Sequence, residues 1–170
     1  MISAFVRGER DSARWGEDVR ALLEKHSGDE RAVLAEHRGW GQDIGLFDGF
    51  PDEVDWYRAV LERDEVLDIL YINWDWWLRI TDGSRRPRDA AERIRAGLVE
   101  GITAEEREPY AAAAATNPEL IIVRAGPDEP LVVLEGHARL TAYALYPEHL
   151  PGELGVYLGE TPEMVRWSEY

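Results

Sequence analysis

The chain has 170 residues, 45% of them hydrophobic and 31% charged, a balance that suits one globular domain and argues against disorder. It contains no cysteine, which rules out disulfides, thiolate metal sites and cysteine nucleophiles. Its net charge of −15 repels polyanions, so nucleic-acid binding is disfavoured. The acid excess is uneven. Residues 1–72 and 101–170 each carry −8, whereas residues 73–100 carry +1. No apolar run approaches the roughly 20 residues of a membrane span. Met1–Arg10 lacks the long apolar stretch of a leader, and a cytoplasmic location is expected. Eighteen of the 19 basic residues are arginine, so a lysine-dependent phosphate loop is excluded and Schiff-base chemistry would fall to Lys25.

In chain order, Met1–Val6 reads as a short strand. Ser12 starts a helix with Trp15, Val19, Leu22 and Leu23 on one face, and Asp29 caps a second one that stops at Gly39. Gly39–Pro51 holds four glycines between Trp40, Ile44, Leu46, Phe47 and Phe50, and reads as a loop with apolar anchors. Asp52 or Asp55 opens a third helix, with Val54, Tyr57, Val60 and Leu61 inward. Val66–Ile72 reads as a strand. Asn73 is placed to cap a turn in which Trp74, Trp77 and Leu78 share a face. Pro87 begins a helix with Ala91, Ile94 and Leu98 inside. Thr103-Ala104-Glu105-Glu106 is a capping box for a stretch bent at Pro109, closed by the alanine run 111–115 and ended by Asn117-Pro118.

Glu119–Ala125 and Leu131–Leu134 read as a hairpin around the turn Gly126–Pro130. His137–Tyr146 has helical period, Leu154–Leu158 is the last strand, and Thr161-Pro162 starts a terminal helix. The expected fold class is α/β in the α+β sense: a small mixed sheet in residues 66–170, with residues 1–65 as a helical extension packed on it. Val66–Ile72, Leu120–Val123, Leu131–Leu134 and Val156–Leu158 are assigned to one sheet.

The chemistry concentrates where LVVLEGHARLTAYAL passes from strand to helix. Gly136 allows close backbone approach, and a helix start offers unpaired N–H groups to an anion. His137, Arg139 and Thr141 add donors, and an arginine grips phosphate in bidentate fashion. Glu135 can pair with Arg139, orient His137 or act as a general base. Arg85 and Arg86, in the one region that is not acidic, are either solvated loop arginines or further anion ligands facing this corner. His26, His37 and His149 lack metal-ligand spacing, and no metal site is read.

Glu135-Gly136-His137-Ala138-Arg139, set in the order strand–helix–strand–turn–strand–corner–helix–strand, resembles the ParB/sulfiredoxin-like superfamily. That superfamily includes ParB N-terminal domains, sulfiredoxin and ADP-dependent free-serine kinases. Gly136, His137 and Arg139 match its D-G-H-H-R form, Glu135 replaces the Asp, and Ala138 departs at the second His. The resemblance spans about residues 66–158. It implies phosphate or nucleotide binding through Gly136, His137, Arg139, Thr141 and Arg85, with Glu135 and His137 as catalytic candidates and ATP or ADP with magnesium as candidate cofactors. Small-molecule phosphoryl transfer, as in the serine kinases, is the activity it suggests. Asp75 and Asp82 fall where such a kinase carries a further base. The missing cysteine excludes sulfiredoxin chemistry, and the acidity argues against a partition or nuclease role. The alternative is a non-enzymatic interaction module, using the acidic surface and the aromatic cluster on a protein partner or a second copy.

Overall fold

The computed structural model describes residues 1–12, 14–108 and 119–170. Among these lie seven α-helices: α1 (Ile2–Arg10), α2 (Gly16–Lys25), α3 (Glu30–Arg38), α4 (Arg63–Asp68), α5 (Asp75–Thr81), α6 (Pro87–Arg95) and α7 (His137–Leu145). Four strands accompany them: β1 (Asp55–Glu62), β2 (Leu120–Arg124), β3 (Val132–Glu135) and β4 (Glu153–Glu160). They form one mixed sheet in the order β1-β4-β2-β3. The pairs β1–β4 and β2–β3 are antiparallel, and β2–β4 is parallel. The α+β class is therefore present. Among the described residues no helix is long and apolar enough to cross a membrane.

The sheet is covered on both faces. Leu120, Ile122 and Val133 pack with residues of α4 to α7, whereas Ile121, Val123, Val132 and Leu134 pack with α1 to α3, Phe47, Met164 and Trp167. A strand buried on both sides needs apolar residues at consecutive positions, which is why LIIVR and LVVL read directly as strands. Trp167 ties the C-terminal segment to the glycine-rich loop, its indole N–H donating to Leu46 O at 3.0 Å.

Several elements differ from the sequence reading, each for a local reason. In place of a strand over Met1–Val6, α1 starts at Ile2, because Phe5, Val6 and Glu9 are buried together at helical spacing. The expected third helix is strand β1, paired with β4 over eight residue pairs. Val54, Tyr57, Val60 and Leu61 imitate a helical stripe. Yet Tyr57 and Val60 are exposed, and Ala59 and Leu61 pack on one core while Val54 and Trp56 pack on the other. The expected strand Val66–Ile72 starts as helix α4. Glu62 and Glu65 form a reciprocal capping box that nucleates the turn. Only Leu70 reaches the sheet, bridging to Val132 beside β3. Asn73 does not cap α5; its amide donates to Ser168 O. Leu98 is 64% exposed because α6 stops at Arg95 and Gly97 turns the chain with φ +67°. The terminal helix is a 3-10 turn over Pro162–Arg166.

Other start and stop signals act as read. Asp29 accepts from the amides of Arg31 and Ala32, Gly39 ends α3 in the left-handed region, and Pro87 opens α6. The Thr103–Glu106 capping box is present in both directions. The bend at Pro109, the alanine run 111–115 and the stop at Asn117-Pro118 lie outside the described residues.

Candidate functional site

β3 delivers Glu135 to the end of the sheet, and α7 begins two residues later. Between them Gly136 sits at φ +104°, where a side chain is strained, and a Cβ there would run into the buried Leu120 side chain. Glycine is thus required by both conformation and space. No side chain caps the α7 N-terminus, so its first amides carry the positive end of the helix dipole at this corner.

The structure brings Glu135, Gly136, His137, Arg139 and Thr141 together and folds them inward. Arg139, 8% exposed, donates through Nη2 to Glu135 Oε2 within a single turn. Thr141 is 4% exposed; its hydroxyl donates to His137 O at 2.9 Å and accepts from Tyr71 Oη–H at 2.7 Å. Arg85 is engaged elsewhere. Its guanidinium donates to three carbonyls, those of Tyr71, Glu169 and Tyr170, and so fastens the C-terminus. Its backbone is left-handed at φ 61° and its amide is held by Thr81 Oγ1, which fixes that direction.

The corner is not an open cleft, because α1 lies across it. A Cβ on Gly8 would stand 3.0 Å from Glu135 Cδ, Oε1 and Oε2. Glycine at position 8 therefore lets the helix backbone rest on the carboxylate. The next residue, Glu9, is itself buried and accepts from Arg38 Nε at 3.0 Å and from Arg38 Nη2. His37 Nε2 stands 3.8 Å from the other Glu9 oxygen, beyond hydrogen-bond reach. Two carboxylates and two guanidiniums thus share one buried region between α1, α3 and α7.

On the other side His137 lies in a ring stack. Its imidazole is 5.0 Å from the Trp77 ring at 17°, and Trp77 is 4.4 Å from Tyr71 at 14°. His137 Nε2 is buried and has no hydrogen-bond partner among the described residues.

These surroundings set the proton chemistry. Burial pushes the Glu135 carboxyl up to about 7, against the pull of Arg139 and with a further push from Glu9. Burial likewise pushes His137 down to about 3, so its imidazole is neutral at physiological pH. Burial also raises Glu9, but His37 and Arg38 outweigh it and hold that carboxyl below its ordinary range. The corner therefore pairs a carboxyl that titrates near neutrality with a neutral imidazole and a guanidinium, a set suited to holding an anion and exchanging a proton.

Gly8, Glu9, Arg38, Tyr71 and Trp77 join this site without being marked for it by the sequence pattern. Glu9 carries the one available signal: it follows Phe5 and Val6 on the same helical face, and a charged residue on a buried stripe marks a partner. A cavity of about 690 Å³ lies elsewhere, lined in part by Trp40, Phe47 and Phe50 of the glycine-rich loop. Comparison with protein-family models, with curated proteins and with solved structures finds no match for this chain.

Proposed function

We propose that the protein binds a small phosphate-bearing molecule at the 135–139 corner, the phosphate replacing Glu135 as the partner of Arg139. One observation carries this reading: a buried guanidinium, Arg139, is paired with Glu135 at a strand-to-helix turn, and burial pushes that carboxyl up to about 7, which weakens its hold on Arg139 near neutral pH. The uncapped α7 N-terminus and the unpartnered His137 Nε2 supply further groups to the same ligand. The resemblance of Gly136, His137 and Arg139 to the phosphate-binding corner of the ParB/sulfiredoxin-like superfamily points the same way. Ligand entry requires α1 to lift from Glu135.

ADP or ATP is the candidate phosphate source that the resemblance implies. Among the described residues no group of three His, Asp or Glu is placed to hold a metal alone, so magnesium would enter with the nucleotide phosphates. The corner is therefore proposed as a binding site, and no transfer step is derived.

Calorimetric titration with inorganic phosphate and ADP at pH 8, where Glu135 is ionised, tests the exchange. Glu135→Gln should bind phosphate more tightly than the unaltered protein, because no charged competitor remains. Arg139→Gln should lose about 1.5–3 kcal/mol of binding, the worth of one charge-assisted contact. Equal affinities for the two variants, or no saturable binding in either, would contradict the proposal.

A further inference from the structure

A second cavity, of about 380 Å³, opens on the opposite side of α5. Trp76, Arg79 and Ile80 line it at the spacing of one helical face, while Trp77 faces the corner stack. Arg93 of α6 and the loop residues Leu98, Val99 and Glu100 complete the lining. Its volume falls within the range of small-molecule sites, about 300–1,000 Å³.

The charge of this cavity sets it apart. The protein has 34 acidic residues against 19 basic ones, and eight arginines close ion pairs with carboxylates among the described residues. The other ten arginines form none there. Arg79 and Arg93 are two of these, and they line the same cavity. Neither side chain forms an ion pair or a hydrogen bond with any described residue, and Arg93 Nε is buried without an acceptor. A buried, unpartnered guanidinium nitrogen is costly unless something accepts from it. Arg79 is held in place by stacking on Trp76, its Cζ 4.6 Å from the ring centroid. Beside the two cations and Glu100 the described lining is apolar: Ile80 and Val99 are buried, and Leu98 stands exposed at 64%.

We propose that this cavity is a binding site for a small organic anion, one phosphate or carboxylate group joined to an apolar body. The anionic head lies between Arg79 and Arg93, accepting from Arg93 Nε. The apolar body lies against Ile80, Leu98 and Val99. Glu100, the one acidic residue of the lining among the described residues, disfavours the anion and sets a limit on affinity. This site is independent of the Glu135–Arg139 corner and does not rest on it.

Calorimetric titration of the full-length protein with phenyl phosphate, and separately with inorganic phosphate, tests the proposal. Phenyl phosphate should bind saturably and more tightly than inorganic phosphate, because only it carries an apolar body. Arg79→Ala and Arg93→Ala should each weaken that binding about tenfold or more, and Glu100→Gln should strengthen it. If Arg93→Ala does not fold, Arg79→Ala, whose side chain is exposed, carries the test alone. Absence of saturable phenyl phosphate binding would overturn the proposal. So would binding undiminished in both arginine variants, a result that would move the ligand to the corner and leave the reading of that corner standing.

Discussion

Folding shifts the pKa values of Glu135 and His137 in opposite directions. Glu135 is raised from 4.5 to about 7. The stability it lends is therefore fully present below pH 4.5 and is lost as pH rises through 7. His137 is lowered from 6.5 to about 3, so its contribution is present above pH 6.5 and is lost as pH falls toward 3. Between pH 4.5 and 6.5 the two slopes oppose each other and nearly cancel. Glu135→Gln removes one of them. The stability of this variant relative to the unaltered protein should then rise with pH between 4.5 and 7, by up to about 1.4 kcal/mol per pH unit. Urea denaturation at three pH values within that window measures it. A difference that does not change with pH would show that the Glu135 carboxyl is not held up by burial.

At the scale of elements, the proposed phosphate exchange requires α1 to move. Its contact with the corner rests on Gly8 against the Glu135 carboxyl and on Glu9 held by Arg38. If a phosphate displaces Glu135, amide hydrogen exchange in α1 should speed up when phosphate is added, while β2 and α7 stay protected. Unchanged or slower exchange in α1 under saturating phosphate would mean that the helix does not open. The same element marks where the sequence ceases to be legible. The corner itself is legible, because Glu135, Gly136, His137 and Arg139 are neighbours in the chain and a glycine between an apolar strand and a helical stripe marks a sharp strand-to-helix turn. What covers the corner is not, since Gly8 and Glu9 lie more than a hundred positions away and meet Glu135 only through packing. The misread elements share a second cause. Val54 to Leu61 satisfies helical and strand periods together, and pairing with β4 decides between them. At Val66 a local capping box wins over an apolar run that reads as a strand.

At the scale of the whole molecule, charge is the dominant property. The −8 flanks leave only residues 73–100 near neutrality, and that region contributes Arg79 and Arg93 to the smaller cavity and Arg85 to the C-terminal clamp. Duplex DNA should not bind at physiological salt, as fluorescence anisotropy with a labelled duplex would register; a sub-micromolar, salt-sensitive complex would contradict this. A small anion differs from a polyanion in that it needs one local cationic site and not an extended one. The central claim, that the corner takes phosphate by exchange with Glu135, is tested most directly by following the Glu135 carboxyl carbon by NMR through a pH titration, with and without phosphate. In the free protein the midpoint should lie near 7, and phosphate should move it upward because the displaced carboxyl beside the bound anion is held protonated. A midpoint in the ordinary range near 4.5, or one that phosphate leaves where it was, would contradict it.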